Sequence, residues 1–139
     1  MSQENVEEVR AGFEAWNAGD MGAFGEQYDP HVVLRYADGW PEGLEPIMGR
    51  EAVMRQWVQQ REAFDADTIE LIEVIDLGDR VAVRFIWRAV GSGPDLNIEV
   101  TSVSTARKGK TIFVEFFWDH AEALEALGLS EQDAHADSA

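Results

Sequence analysis

The segment that decides the fold is RVAVRFIWRAV, residues 80–90. Val81, Val83, Phe85 and Trp87 occupy alternate positions in it, and a period of two is typical of a β-strand with one buried face. Three further segments with strand character lie on either side of it in the chain, at residues 69–77, 96–106 and 111–118. Because three short turns that each contain glycine separate them, the four segments predict a meander of antiparallel hairpins.

Before this meander the apolar period is close to that of a helix. Val6, Val9, Phe13 and Trp16 recur at spacings of three and four, which predicts a first helix with one apolar side. Gly19 suits a left-handed helix end. The next residue, Asp20, suits the N-cap of a second helix that presents Met21, Phe24 and Tyr28.

A third helix is predicted over residues 50–64, with Trp57 on its apolar stripe. Residues 32–36 are rich in β-branched and aromatic side chains and predict a short strand, and the Gly- and Pro-rich residues 38–49 predict a long loop. Asp119 followed by Glu122 has the spacing of a capping box, which predicts a short final helix.

This order predicts an α+β fold in which helices pack on a strongly bent, mainly antiparallel sheet. Such a cone usually encloses a pocket, and tryptophans recur in nearly every element. The length of 139 residues fits a single domain over residues 1–129, with residues 130–139 as a disordered acidic tail.

Composition excludes several classes of function. A formal net charge of −16, with the basic residues scattered, argues against nucleic acid as a partner. No apolar run reaches the roughly 18 residues that a membrane span needs, and the first residues lack the pattern of an export signal, so we expect a cytoplasmic protein. The chain has no cysteine and no metal-binding or phosphate-binding motif, so we expect no metal and no cofactor.

Several short motifs resemble a known family, and the resemblance covers about residues 3–129. These motifs occupy residues 13–20, 29–32, 49–53, 76–81, 108–110 and 118–125. They resemble the SnoaL-like proteins of the NTF2-like superfamily, which also includes ketosteroid isomerases and polyketide cyclases. The resemblance implies a cone-shaped α+β barrel, a pocket between sheet and helices, and a homodimer formed through the outer face of the sheet.

The residues of the ketosteroid isomerase mechanism are not matched here. When the shared motifs are aligned, the position of the isomerase's aspartate base falls at Arg35. The position of its tyrosine falls near Gly12, and that of its carboxylic acid falls near Thr101. Arginine stays protonated and cannot act as a base at neutral pH. The resemblance therefore implies the fold of the family for this chain, but we do not expect the ketosteroid isomerase mechanism.

The same alignment, combined with strand alternation, predicts that Arg35, Glu99, Thr101 and Val103 point into the pocket. Glu99 is then a candidate base and Arg35 a candidate electrostatic stabiliser; alternatively the two form a structural ion pair. The candidate pocket residues are Trp16, Tyr36, Trp40, Trp57, Phe85, Trp87, Thr101, Val114, Phe116 and Trp118.

Other residues have two interpretations. Asp119 matches the late acid/base aspartate of polyketide cyclases, but its spacing favours helix capping. His31 is a lone histidine and is more typical of a structural or exposed position. Trp40 lies in the long loop, where an aromatic side chain can cover a pocket.

The outer face of the sheet is predicted to form a dimer interface. The residues predicted to face outward there are Arg84, Ile86, Arg88, Glu115 and Phe117.

Three functions fit these features. The first is a cofactor-independent isomerase, cyclase or hydrolase acting on a hydrophobic carbonyl or polycyclic compound. The second is a non-catalytic binder of an apolar ligand. The third is a dimeric protein-interaction module, which an exposed apolar patch would favour and a closed pocket would oppose.

Overall fold

A computed structural model of the chain describes residues 2–37 and 45–129. Helices α1 (Ser2–Ala18) and α2 (Met21–Glu26) come first, followed by strands β1 (Tyr28–Tyr36) and β2 (Ile47–Met48) and helix α3 (Arg50–Glu62). Four long strands follow, β3 (Ala66–Asp76), β4 (Arg80–Val90), β5 (Leu96–Arg107) and β6 (Lys110–Phe117), and helix α4 (His120–Ala126) comes after them.

The six strands form one curled, unclosed sheet in the order β2-β1-β6-β5-β4-β3. All neighbouring pairs are antiparallel except β1 and β6, which run parallel. The predicted α+β architecture and the meander of hairpins are therefore confirmed. The parallel pair brings the first long strand of the chain beside the last one.

The helix boundaries follow local chemistry. Gly19 has a φ of 78°, and the Asp20 side chain accepts a hydrogen bond from the backbone N–H of Ala23 at 3.0 Å. Both features were predicted, because a left-handed glycine ends a helix and an aspartate caps the next one. Gly49, with a φ of 93°, is the N-cap residue of α3.

Two predicted boundaries were wrong. Tyr28 begins β1 instead of lying on α2, and Pro30 is accommodated because the pairing of β1 with β6 shifts register between Tyr28 and Val33. Part of the predicted loop over residues 38–49 is the short strand β2, which pairs with β1 at Val33 and Leu34.

The core lies on both faces of the sheet. The larger cluster lies between the inner face and helices α1, α2 and α3, and it includes the predicted stripe residues Val9, Trp16 and Trp57. A second cluster lies on the outer face, where Leu124 of α4 packs with Ile75, Ala82, Val103 and Phe117. The predicted outward position of Phe117 is correct, but α4 buries it, so this side chain is not available to a partner subunit.

Candidate functional site

A cavity of about 450 Å³ lies between the inner face of the sheet and the helices. Its volume is in the range of small-molecule sites, and its wall is mainly apolar and aromatic. Eight of the residues predicted from the sequence line it: Trp16, Tyr36, Trp57, Phe85, Trp87, Val114, Phe116 and Trp118. Trp118 is 47% exposed, which places it at the opening of the cavity.

The remaining lining residues lie on helices α1, α2 and α3, on strands β1, β3 and β5, and at Gln27 between α2 and β1. They are Val9, Phe13, Phe24, Gln27, Tyr28, Gln56, Gln60, Ile69, Ile98, Val100, Ser102 and Ser104. Their polar members are amides and hydroxyls. In the described part of the chain, no carboxylate, imidazole, ammonium or guanidinium group lines the cavity.

Edge-to-face aromatic contacts hold the wall together. The Trp57 ring lies 6.0 Å from that of Trp16 and 5.6 Å from that of Phe116, both nearly perpendicular. The ring centroids of Phe13 on α1 and Phe85 on β4 are 5.2 Å apart, with the two planes tilted by 54°. Such pairs add to the gain from burying the rings and restrict their orientation. The cavity therefore has a shape that is set before any ligand binds.

A buried carboxylate behind this wall fixes two of the indoles. Asp67, whose side chain is 3% exposed, accepts the Nε1–H of Trp16 at 2.6 Å and that of Trp87 at 2.9 Å on the same oxygen, Oδ2. Its other oxygen accepts from Nε of Arg61 at 3.0 Å. Because buried charges need partners, this set of contacts satisfies Asp67 without a ligand.

Arg61 completes the same cluster from α3. Its Nη1 donates to the backbone carbonyl of Trp16 at 2.6 Å, and its guanidinium carbon lies 4.5 Å from the centre of the Trp16 ring. A planar cation suits this double role of hydrogen bonding and stacking. Arg61 thus ties α3 to the end of α1 and holds the Trp16 ring in place.

A second buried pair lies directly on the cavity wall. Trp57 donates its Nε1–H to the hydroxyl oxygen of Tyr28 at 3.1 Å. Burial raises the pKa of the Tyr28 hydroxyl well above its usual range, and the hydrogen bond from Trp57 opposes only part of that shift. Tyr28 therefore keeps its proton at neutral pH.

The structure corrects the predicted orientation of Glu99 and Arg35. Glu99 lies on the outer face, where it accepts from Nε and Nη2 of Arg84 at 3.0 and 2.8 Å. Arg35 forms an ion pair with Glu115 on the neighbouring strand. The strand register places Arg35 opposite Glu115 and Glu115 opposite Val103. Glu99 is thus about 13 Å along the sheet and about 10 Å across it from Arg35.

The predicted inward orientation of Thr101 and Val103 is also wrong. Strand β5 turns its even-numbered residues inward, so Val100, Ser102 and Ser104 line the cavity. The Thr101 hydroxyl instead lies 2.7 Å from Nδ1 of His120 at the start of α4. Thr101 is 1% exposed, and it joins α4 to the outer face of the sheet.

Gly12, near which the tyrosine of the isomerase pattern falls in the alignment, lies against the side chain of Gln27. A β-carbon at this position would lie 2.9 Å from the side-chain amide of Gln27. Glycine therefore leaves room for that amide, which lines the cavity and donates from Nε2 to the carbonyl of Phe24 at 2.8 Å. The polar group at this part of the wall comes from Gln27.

Asp119 caps helix α4, as its spacing predicted. Its Oδ1 accepts from the backbone N–H of Ala121 at 2.9 Å, and the residue is exposed. His31 is also exposed, and its backbone N–H bonds Oδ1 of Asp29. Trp40 lies outside the described residues.

Sequence reasoning missed Asp67, Arg61 and the hydroxyl of Tyr28. Asp67 lies in phase with Ile69 and Leu71 on the inner face of β3, and a carboxylate on the apolar phase of a strand signals a buried partner. That signal was lost because the strand was predicted to begin at Ile69. Tyr28 was read as one more apolar residue on a helix.

Comparisons with known proteins agree with this geometry. The fold is the α+β cone of NTF2-like proteins, and the SnoaL-like domain family matches residues 9–114. The chain belongs to this SnoaL-like family. No curated protein sequence gives a significant match.

Solved structures with the same fold include Bal32a from a soil-derived mobile gene cassette, at 25% identity and a TM-score of 0.74 over 83% of this chain and 88% of that one. An NTF2-like protein of unknown function from Burkholderia pseudomallei K96243 has 22% identity and a TM-score of 0.72, covering 88% and 95%. A putative SnoaL-like polyketide cyclase from Jannaschia sp. CCS1 has 20% identity and a TM-score of 0.72, covering 84% and 85%.

The described part of the chain has neither a metal-binding cluster nor a membrane-spanning helix. Over residues 2–37 and 45–129, no group of three His, Asp or Glu side chains is arranged to hold a metal ion. Within the same ranges, no helix is both long enough and apolar enough to span a membrane.

Proposed function

We propose that this protein binds a small, uncharged and largely apolar molecule in the cavity between sheet and helices. The observation that carries the proposal is the wall itself, with aromatic rings from α1, α3, β4 and β6 around a space of about 450 Å³. Its polar lining groups are neutral amides and hydroxyls. A few neutral polar groups in an apolar wall orient a ligand by one or two hydrogen bonds.

A second candidate is turnover of that ligand without a cofactor, as an isomerase, cyclase or hydrolase acting on a carbonyl or polycyclic compound. Membership of the SnoaL-like family supports it, as does the fold shared with a putative polyketide cyclase. The described part of the lining holds no carboxylate or imidazole. Binding is therefore supported more directly than general-base catalysis, and the outward positions of Glu99 and Arg35 do not add a base to the cavity.

The alternative of a protein-interaction module has less support, because its main expectation is an exposed apolar patch instead of an enclosed cavity. A homodimer is a separate proposal that is compatible with ligand binding. The outer face presents Ile86 between two ion pairs, Arg84 with Glu99 and Arg88 with Glu70. Light scattering should give twice the chain mass of 15.5 kDa, and Ile86→Asp should give the monomer. A wild-type monomer would contradict the dimer.

Tryptophan fluorescence tests the binding proposal, since Trp16, Trp57 and Trp87 all line the cavity. Steroids, planar polyketides and smaller apolar ketones are titrated while the same samples are followed for conversion. Ser104→Phe fills the cavity from β5, whereas Thr105→Phe adds the same group on the opposite face of that strand. We expect saturable quenching that Ser104→Phe weakens by about tenfold or more, with little effect of Thr105→Phe. Equal effects of the two variants would contradict the proposed site.

A further inference from the structure

We propose that the hydroxyl of Tyr28 donates a hydrogen bond to a carbonyl oxygen of the ligand, so that the cavity selects uncharged carbonyl compounds. The inference rests on the proposed binding function and adds the chemical group that is recognised. Tyr28 lies at the start of β1, is 4% exposed and lines the cavity.

The buried indoles do not offer their N–H groups to a ligand. Those of Trp16 and Trp87 are bonded to Asp67, and that of Trp57 is bonded to Tyr28. These three residues therefore present ring carbons and π-faces to the cavity. They supply apolar contact area, and hydrogen bonding to a ligand must come from other groups.

The Tyr28 hydroxyl is oriented by its bond with Trp57. A hydroxyl has one proton to donate and lone pairs to accept with. Since the Trp57 N–H occupies an acceptor position, the hydroxyl proton must point elsewhere. Among the described residues no protein acceptor receives it, and the neighbouring ring of Phe24, 5.7 Å away and nearly perpendicular, is apolar. An acceptor atom of a bound ligand would complete the pair.

Ser102 is another buried polar side chain in the lining, at 4% exposed. Tyr28 is the better donor for two reasons. A phenol is more acidic than an aliphatic alcohol, so its hydrogen bond to a carbonyl oxygen is stronger. In addition, a hydroxyl that already accepts a hydrogen bond is polarised by it and donates more strongly. Ser102 has no such bond among the described residues.

The charge of the surroundings selects against ionised ligands. The described lining has no cationic group to pair with a carboxylate, and burying an unpaired charge is costly. Arg61, which lies behind the aromatic wall with its side chain 19% exposed, is already bonded to Asp67 and to the Trp16 carbonyl. The net charge of −16 adds long-range repulsion of anions.

Three probes with one planar skeleton test these statements: fluorene, 9-fluorenone and the anion of 9-fluorenone-4-carboxylic acid. In the wild-type protein we expect fluorenone to bind about five- to tenfold more tightly than fluorene, which is the usual worth of one such hydrogen bond. Tyr28→Phe should reduce this ratio to about twofold or less, and the carboxylate should bind at least about tenfold more weakly than fluorenone.

The infrared carbonyl stretch of bound ¹³C-labelled fluorenone gives a direct readout in the wild-type protein. We expect it at lower frequency than in an aprotic apolar solvent, and we expect Tyr28→Phe to remove the shift. This measurement decides the question even if Tyr28→Phe fails to fold, because a wild-type stretch at the apolar-solvent frequency would overturn the inference.

The remaining outcomes are also decisive. If Ser102→Ala or Tyr36→Phe, and not Tyr28→Phe, removes the preference for fluorenone over fluorene, another donor binds the carbonyl and the inference is wrong. If fluorene and fluorenone bind equally well, the inference fails while the proposed binding function stands. If none of the three probes binds the wild-type protein, both the inference and the proposed function are overturned.

Discussion

Trp16 on α1 and Trp87 on β4 share one hydrogen-bond acceptor, because both indole N–H groups reach Oδ2 of Asp67, at 2.6 and 2.9 Å. A single buried carboxylate therefore joins a helix and a strand on two sides of the cavity. With the Arg61 guanidinium on its other oxygen, the carboxylate is fully paired. The shape of the aromatic wall depends on this arrangement.

Asp67→Ala is expected to lower the free energy of unfolding by about 3–5 kcal/mol, since it leaves a buried guanidinium and two buried indole N–H groups without an acceptor. Urea denaturation measures the loss. Asp65→Ala, two residues earlier at an exposed position, is the matched control and should change stability by about 0.5 kcal/mol or less. Equal losses in the two variants would show that the Asp67 cluster contributes nothing specific.

Tyr28 predicts a pH dependence of stability in the alkaline range. Its folded pKa is raised, whereas in the unfolded chain it ionises near its usual value of about 10. Above about pH 10 the unfolded chain releases this proton and the folded chain keeps it, so stability falls by up to about 1.4 kcal/mol per pH unit. Below that pH the contribution is fully present.

Tyr28→Phe lacks this ionisation and serves as the comparison. The stability difference between wild type and Tyr28→Phe should stay constant up to about pH 9.5 and shift in favour of the variant above it. Tyr36 is present in both proteins, so the effect of its ionisation cancels in the stability difference. Parallel stability curves up to about pH 11.5 would mean that Tyr28 ionises as easily in the folded state as in the unfolded chain.

Glu99→Gln is expected to change ligand affinity by about twofold or less and stability by about 1 kcal/mol or less, because its partner Arg84 is a half-exposed surface group. Val100→Gln, one residue later on the inward face, should weaken both binding and stability, since it places an amide in an apolar wall. Titration and thermal melts compare the two. A large loss of binding or turnover in Glu99→Gln, without such a loss in Val100→Gln, would show that Glu99 takes part in ligand binding or catalysis.

Asp119→Ala is expected to cost about 1 kcal/mol of stability through loss of the helix cap, with ligand affinity unchanged. Asp119→Ser keeps an oxygen that can accept from the Ala121 N–H and should restore most of that loss. Calorimetry gives the stability of each. An activity that stays lost in Asp119→Ser while stability returns would support an acid/base role instead of capping.

Strand alternation was reliable where only one face of a strand is buried. On β4, Val81, Val83, Phe85 and Trp87 face the cluster around the cavity, and Arg84 lies on the outer face, as the sequence predicted. Because charged side chains occupy alternate positions on the outer side of this strand, the sequence showed directly which residues face inward. The aromatic wall could therefore be predicted from the sequence.

For β5, alternation alone did not show which set of alternate residues faces the cavity. The inner face takes Val100 and Ser102, while α4 buries Val103 on the outer face, so apolar and hydroxyl side chains occur in both phases. Choosing the phase by resemblance to isomerases put Glu99 and Thr101 on the wrong side. On β1 the alternation of Val32, Leu34 and Tyr36, all buried, would have placed Arg35 outward without that resemblance.

The hydrogen-bond clusters were beyond sequence reasoning for a different reason. Arg61 and Asp67 are only six residues apart, but their meeting depends on the turn from α3 into β3. Trp16 and Asp67 are 51 residues apart. Contacts of this kind are set by tertiary packing. The position of Asp67 on an apolar strand face signals a buried partner, but no local pattern identifies which residues it contacts.

The parallel pairing of β1 with β6 also affects how the chain folds. Arg35 and Glu115 on these strands are separated by 80 residues, so β1 has no long neighbour until nearly the whole chain has left the ribosome. Closing such a distant contact is slow compared with forming the β3–β4 and β4–β5 hairpins. Until β6 is in place, Trp57 lacks its contact with Phe116, and an incomplete chain exposes apolar surface of the kind that chaperones bind.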